Sequence, residues 1–291
     1  MKQYRSIEEV LSPSVPHMVG DGFRVVNYFP GGKNFSDRMS PFFLLDFNPE
    51  FNFSPTDIPR GVGVHPHRGF ETVTIAYEGS VAHHDSHGNS GVINPGDVQW
   101  MTAASGILHK EYHEKEFAKK GGSFKMAQIW VNLPKKFKMS TPKYQAVLHE
   151  QKGRFDLPDQ KGTIFVIAGD YNGIKGAAST YTPLEMYDVR LMENAKAIFN
   201  LPGEYNTGLL VAEGEVTIND NTTAYENQYI QFKNEEGEIT VNADKNSIIL
   251  VLSGQPINEP VAAYGPFVMN TPEEIQVAIK DVRNGKFGQL D

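Results

Sequence analysis

Seven of the nine histidines lie between His65 and His113, and none follows His149. Two tight pairs stand out in that stretch, His65-Pro66-His67 and His109-Lys110-Glu111. Residues i and i+2 of a β-strand point to the same side, so each pair can aim two donors at one point. On facing strands the two pairs would supply three imidazoles and a carboxylate, a set suited to Fe(II), Mn(II), Zn(II) or Ni(II). Read by parity from His65, the odd positions run on through Glu71, Val73, Ile75 and Tyr77. That reading puts a metal at the mouth of a small barrel with an apolar floor beneath it, and Trp100 near the pocket.

The other histidines carry weaker signals. His83, His84, Asp85 and His87 precede Gly88-Asn89, so they are expected in a hairpin loop, solvated or at a pocket rim. His113, two residues past Glu111, would brace the ligands or lie at the surface, and His17 and His149 read as structural. Other chemistries find little support. There is no cysteine, hence no disulfide, thiolate site or thiol nucleophile, and no Gly-x-Ser-x-Gly elbow. Gly31-Gly32-Lys33 lacks the first glycine of a phosphate-binding loop, because Asn27 stands there.

Positioning these residues requires strands, and strand signals dominate. Residues 70–77 alternate and Gly79 follows; 91–93 lead into the turn Asn94-Pro95-Gly96-Asp97; 124–133 run to a Pro-Lys break. The second half repeats the style at 163–168, 209–218 and 247–252. Leu209 to Ile218 echoes the segment around Glu78-Gly79, a shift of 135 residues. The expected architecture is all-β, two tandem antiparallel barrels over 1–140 and 141–291. Applied without gaps, the shift puts Asn200 and Pro202 where His65 and His67 stand, and Asp244 and Asn246 where His109 and Glu111 stand. The second barrel is therefore expected to be metal-free. One helix is signalled, with Thr271 as N-cap, Pro272 at the first position, Glu274 completing a capping box and Ile275, Ala278, Ile279 and Val282 as its apolar stripe.

Apolar residues make up 40% of the chain and charged ones 21%, which fits a globular protein with ample core. A net charge of −8 argues against direct nucleic-acid binding. Lys115, Lys119, Lys120, Lys125, Lys135, Lys136 and Lys138 form a basic stretch, read as solvated surface that could seat a protein partner or an acidic small molecule. No run of apolar residues is long enough to span a membrane, and the start lacks a signal-peptide core, so a cytoplasmic protein is expected.

Two long motifs carry a resemblance. His65-Pro66-His67-Arg68-Gly69-Phe70-Glu71-Thr72-Val73, and Gly96 to Ala103 running on to Gly106-Ile107-Leu108-His109-Lys110-Glu111, resemble the signature of the pirins, members of the cupin superfamily. The likeness extends to Val19 to Phe23 and Gly265 to Thr271. It implies a bicupin with iron held in the N-terminal barrel by His65, His67, His109 and Glu111; Mn, Ni, Zn and Cu are possible substitutes. A typical cupin would use Glu71 as the carboxylate ligand. The pirin pattern instead assigns Glu111, and leaves Glu71 beside the ligands. Two functions follow from the resemblance: a quercetin 2,3-dioxygenase type of enzyme, taking a flavonol and O2 with Glu111 as the catalytic base, or an iron-dependent redox regulator that binds partner proteins. The open metal site and acidic charge favour the enzyme.

Overall fold

Gly79 and Gly214, at φ of 73° and 88°, each end one long strand and start the next across a turn that L side chains adopt only with strain. The computed structural model that contains them describes residues 3–30 and 38–291, so the Gly31-Gly32-Lys33 segment lies outside it. The strands of the first half are β1 (Ile7–Leu11), β2 (His17–Val19), β3 (Phe23–Phe29), β4 (Phe42–Phe53), β5 (Gly61–His67) and β6 (Phe70–Glu78). There follow β7 (Val81–Asp85), β8 (Ser90–Ile93), β9 (Val98–Thr102), β10 (Ile107–His113), β11 (Gly122–Asn132) and β12 (Lys143–Val147).

Two units result, each cupin-type and each made of a seven-stranded and a four-stranded antiparallel sheet. In the first, the sheets are β12-β9-β6-β11-β4-β3-β2 and β5-β10-β7-β8. Its interior holds Phe23, Val25, Ala76, Val81, Phe124 and Met126. In the second, the larger sheet is built on Asn206–Glu213, Ser247–Gly254, Leu184–Leu191 and Gly162–Ala168, and β1 pairs at its edge with Tyr229–Phe232. The smaller sheet contains Lys196–Phe199, Ile239–Ala243, Glu215–Ile218 and Thr222–Tyr225.

The units are not cut cleanly at residue 140. Among the described residues, 3–14 and 38–41 belong with 150–256, whereas 257–291 belong with 15–30 and 42–149. The C-terminal helix α2 (Pro272–Arg283) has its capping box: Thr271 Oγ1 accepts from the Glu274 amide, and Glu274 accepts from the Thr271 amide at 3.2 Å. Ile275 and Ala278 pack against Phe267, Met269 and Phe287. Arg68 fixes this segment to the first unit, donating to Asp281 at 3.0 Å and to the Ser105 carbonyl at 2.7 Å.

A second, short helix that the sequence did not signal, α1 (Lys115–Lys120), is capped by Glu114, which accepts from the amides of Glu116 and Phe117. The basic stretch is also not uniformly solvated. Lys125 and Lys138 are buried, and the Lys138 ammonium donates to the carbonyls of Gly69 and Val268 and to Asn132. Burial pulls that ammonium down to about 7. Among the described residues no helix is long and apolar enough to cross a membrane.

Candidate metal centre

β5 and β10 are hydrogen-bonded neighbours with His109 opposite His65. Alternation along β10 buries Ile107, His109, Glu111 and His113 on one side. The register then slips between His109 and Glu111, so that Glu111 stands opposite Val62. This is a β-bulge, which re-aims side chains where a regular ladder would not. The ring nitrogens of His65, His67 and His109 come within 4.8 Å of one another, and ring centroids are 4.2–4.8 Å apart. Glu111 joins through His109: His83, His109 and Glu111 form a second group within the same distance. Glu111 also lines one cleft with His65 and His67.

The protonation states suit metal binding. His65 Nδ1 lies 2.8 Å from the Gly63 carbonyl, which accepts its proton and leaves Nε2 as the free lone pair. Burial, and then the neighbouring histidines, hold His67 and His109 well below the usual imidazole range, so both are neutral. His67 Nδ1 and His109 Nε2 are buried without a hydrogen-bond partner. An unsatisfied buried polar atom costs about 1–3 kcal/mol, so a cluster of them marks a place built for something to bind. Three imidazoles and a carboxylate fit a divalent cation.

On the other side of the cleft the seven-stranded sheet braces Glu111. Thr74 Oγ1 lies 3.2 Å from Glu111 Oε1 and 2.8 Å from Gln128 Oε1. One hydroxyl has one proton, so it donates to Glu111 when the Gln128 amide turns its NH2 towards it. Beyond them the cleft, about 200 Å³, is lined by Val19, Phe23, Val25, Val62, Met126 and Trp130, with Asp46 as a further polar group. Burial raises the Asp46 carboxyl above its ordinary range, against a 2.7 Å hydrogen bond from Asn27.

This arrangement overturns the parity reading of β6. It is Thr74, an even position, that reaches Glu111, so Glu71, Val73, Ile75 and Tyr77 occupy the opposite face of the sheet. Trp100 pairs with Val73 and shares that face. The chain turns at Gly69, φ 90°, where a Cβ would fall 2.8 Å from the Met269 sulfur, and β5 and β6 belong to different sheets. Alternation cannot be counted through such a corner. Glu71 is fully buried, accepts from Thr102 Oγ1 at 2.6 Å and is pushed up to about 7 by burial. His113 is also buried, but among Phe23, Phe53, Phe117 and Phe124, with Nε2 donating to the Gly22 carbonyl at 2.8 Å. It serves the core.

The main omission was His83. Far from being a loop residue, it sits on β7 opposite Glu111, has no solvent exposure, and approaches His109. The signal that could have found it is the His83-x-Asp85 spacing, the same i, i+2 pattern as in the two pairs. Gln99, Thr74 and Gln128 carried no sequence signal, since single polar residues on long strands are ordinarily solvated.

Comparison with known proteins gives two family-model matches, pirin over residues 22–131 and the pirin C-terminal cupin domain over 186–288. A Pseudomonas aeruginosa protein named "Putative quercetin 2,3-dioxygenase" is 46% identical over 271 residues, 93% of this chain and 94% of its own. A crystal structure of quercetin 2,3-dioxygenase from Acinetobacter baumannii superposes with a TM-score of 0.94 at 45% identity, covering 99% of this chain and 100% of that one. A bacterial pirin from Escherichia coli, solved with nickel(II), shares the fold at TM-score 0.65 and 21% identity, over 86% of this chain and 100% of its own.

Proposed function

As this chain belongs to the pirin family, we propose that it is a mononuclear iron enzyme of the quercetin 2,3-dioxygenase type, opening flavonols with O2. The observation that carries the reading is the His65, His67, His109 and Glu111 donor set at the head of a cleft with apolar walls. A relative and a solved neighbour at 45–46% identity that bear that enzyme's name support it.

Bound Fe(II) would supply a Lewis acid that acidifies a coordinating hydroxyl, together with open positions and redox reach towards O2. The remaining work falls to the chain. Glu111 accepts the proton of the substrate's 3-hydroxyl, and the Thr74 hydroxyl holds the carboxylate oriented while it does so. Val25, Met126 and Trp130 exclude water and flank a flat aromatic ring. A cleft of about 200 Å³ encloses the ring that carries the hydroxyl and carbonyl, leaving the rest of a flavonol at the rim formed by Val19 and Val62. Both oxygen atoms of O2 enter the products, the ring opens, and one carbon leaves as carbon monoxide.

Oxygen uptake with quercetin tests this, comparing native iron-loaded protein with Glu111→Gln at matched iron content. The expected result is robust uptake by the native form and a loss of about 100-fold or more in the variant, the scale of general base catalysis. Uptake by the native form no greater than a free-iron blank would remove flavonol cleavage.

A further inference from the structure

Behind His109, on the side away from His65 and His67, lies a buried polar chain. His83 Nδ1 is 3.2 Å from Gln99 Nε2 and 3.5 Å from His109 Nδ1. His83 Nε2 is 3.5 Å from Asp85 Oδ2, a charge contact longer than a good hydrogen bond. Asp85 in turn accepts from the His87 amide at 2.9 Å and from the amide and side chain of Asn89 at 3.0 and 2.9 Å. His83 is fully buried, Asp85 nearly so, and the His83 ring stacks on Tyr144 at 5.3 Å.

We propose that His83 and Asp85 are positioning residues that fix the tautomer of His109 and raise its basicity towards a metal. The proton count makes the case. The Asp85 carboxylate can only accept, so the His83 proton that faces it sits on Nε2 and leaves Nδ1 as the acceptor, its one lone pair shared between the Gln99 NH2 and the His109 side. At 3.5 Å the two Nδ1 atoms make a long contact that is favourable only with one proton between them, and with His83 Nδ1 unprotonated that proton is on His109 Nδ1. His109 Nε2 is then a bare lone pair, and it is the buried nitrogen that has no partner. The opposite tautomer would protonate His109 Nε2 and remove it from the donor set. A metal-ligating histidine whose second nitrogen donates to an acceptor is better oriented and more electron-rich, and losing that acceptor costs metal affinity about 10–100-fold.

The inference rests on the metal reading above, and the test separates the two. Zn(II) affinity is measured by chelator competition for the full-length native protein, His83→Phe, His83→Asn and Asp85→Asn. Phenylalanine keeps the ring that stacks on Tyr144 but offers no acceptor. Asparagine can place its carbonyl oxygen near the position of Nδ1. Expected are a weakening of about 10–100-fold in His83→Phe, near-native binding in His83→Asn, and a smaller weakening in Asp85→Asn. The iron form of His83→Phe should also have a higher reduction potential, since a less electron-rich His109 supports Fe(III) less well. Native-like Zn(II) affinity in His83→Phe would overturn the relay and leave the metal site standing. So would an affinity of His83→Asn as poor as that of His83→Phe, or the loss of a second Zn(II) equivalent with His83, which would make it a ligand. A native protein that binds no Zn(II) would overturn both readings.

Discussion

The two units share one layout and differ in what their four-stranded sheets aim inward. Counted from the turn glycines Gly79 and Gly214, His83 corresponds to Ile218. Its partner Glu111 then corresponds to Val241, His109 to Ile239, and His65 to Phe199. All four replacements are buried members of one continuous apolar core. The same backbone therefore tolerates either interior. Buried polar groups without partners cost stability that apolar ones of similar size do not, so the polar interior of the first unit needs an explanation in ligand binding. The comparison also corrects the ungapped alignment. Asn200, Pro202, Asp244 and Asn246 are not the equivalents of the donors, because His83 and His109 are 26 residues apart where Ile218 and Ile239 are 21 apart, and Phe199 stands 15 residues before Gly214 where His65 stands 14 before Gly79.

The comparison can be broken most directly by His67→Ala. Iron bound after loading with Fe(II), which the proposed donor set predicts for the native protein, should fall to background in the variant, as read by elemental analysis; full iron content would strike His67 from the proposed donor set. Next comes an exchange between the units. Val241→Glu buries a carboxylate with no partner and should lower stability by roughly 3–5 kcal/mol in urea denaturation. Glu111→Val in metal-free protein should cost nothing or stabilise. Equal losses from both would mean that the two interiors are not built on different terms.

A third effect tests the far face of β6. Burial keeps the Glu71 carboxyl protonated up to about pH 7 in the fold, whereas it ionises near 4.5 in the unfolded chain. The folded state thus binds more protons between those values. The stabilisation is fully present below pH 4.5 and is lost as pH rises through 7. The shift corresponds to about 3 kcal/mol, at 1.36 kcal/mol per unit. Glu71→Gln should flatten that part of the stability profile between pH 5 and 8; an unchanged slope would place its origin elsewhere. The smallest effect is that of Thr74→Val. It removes one hydrogen bond to Glu111, worth about 1.5–3 kcal/mol to a charged acceptor, and should lower kcat with quercetin about tenfold while iron content holds.

Much of the centre was legible because a strand repeats every two residues. His65 and His67, and His109 and Glu111, each share a face by local geometry, and no long-range information is needed to see it. The capped helix Pro272–Arg283 was legible for the same reason: Thr271, Pro272 and Glu274 act on neighbouring amides. Glu71, Val73, Ile75, Tyr77 and Trp100 were misplaced where a corner at Gly69 reset the count. His83 was misread because polarity beside Gly88-Asn89 looks the same in an exposed hairpin as in a strand whose inner face is sealed.

The sequence by itself determined the side-chain types of the proposed donors, their pairing, the duplication and the turns, all of which depend on residues close in the chain. Tertiary structure decided which strands meet. It set His109 opposite His65, inserted the bulge that seats Glu111, turned Thr74 rather than Glu71 to the cleft, and packed His113 among phenylalanines. It also sent the first strand to the second unit and the last helix to the first. Those outcomes depend on burial and register between segments far apart in the chain, where several pairings satisfy the local pattern and only the best-packed one, with its polar groups satisfied, persists.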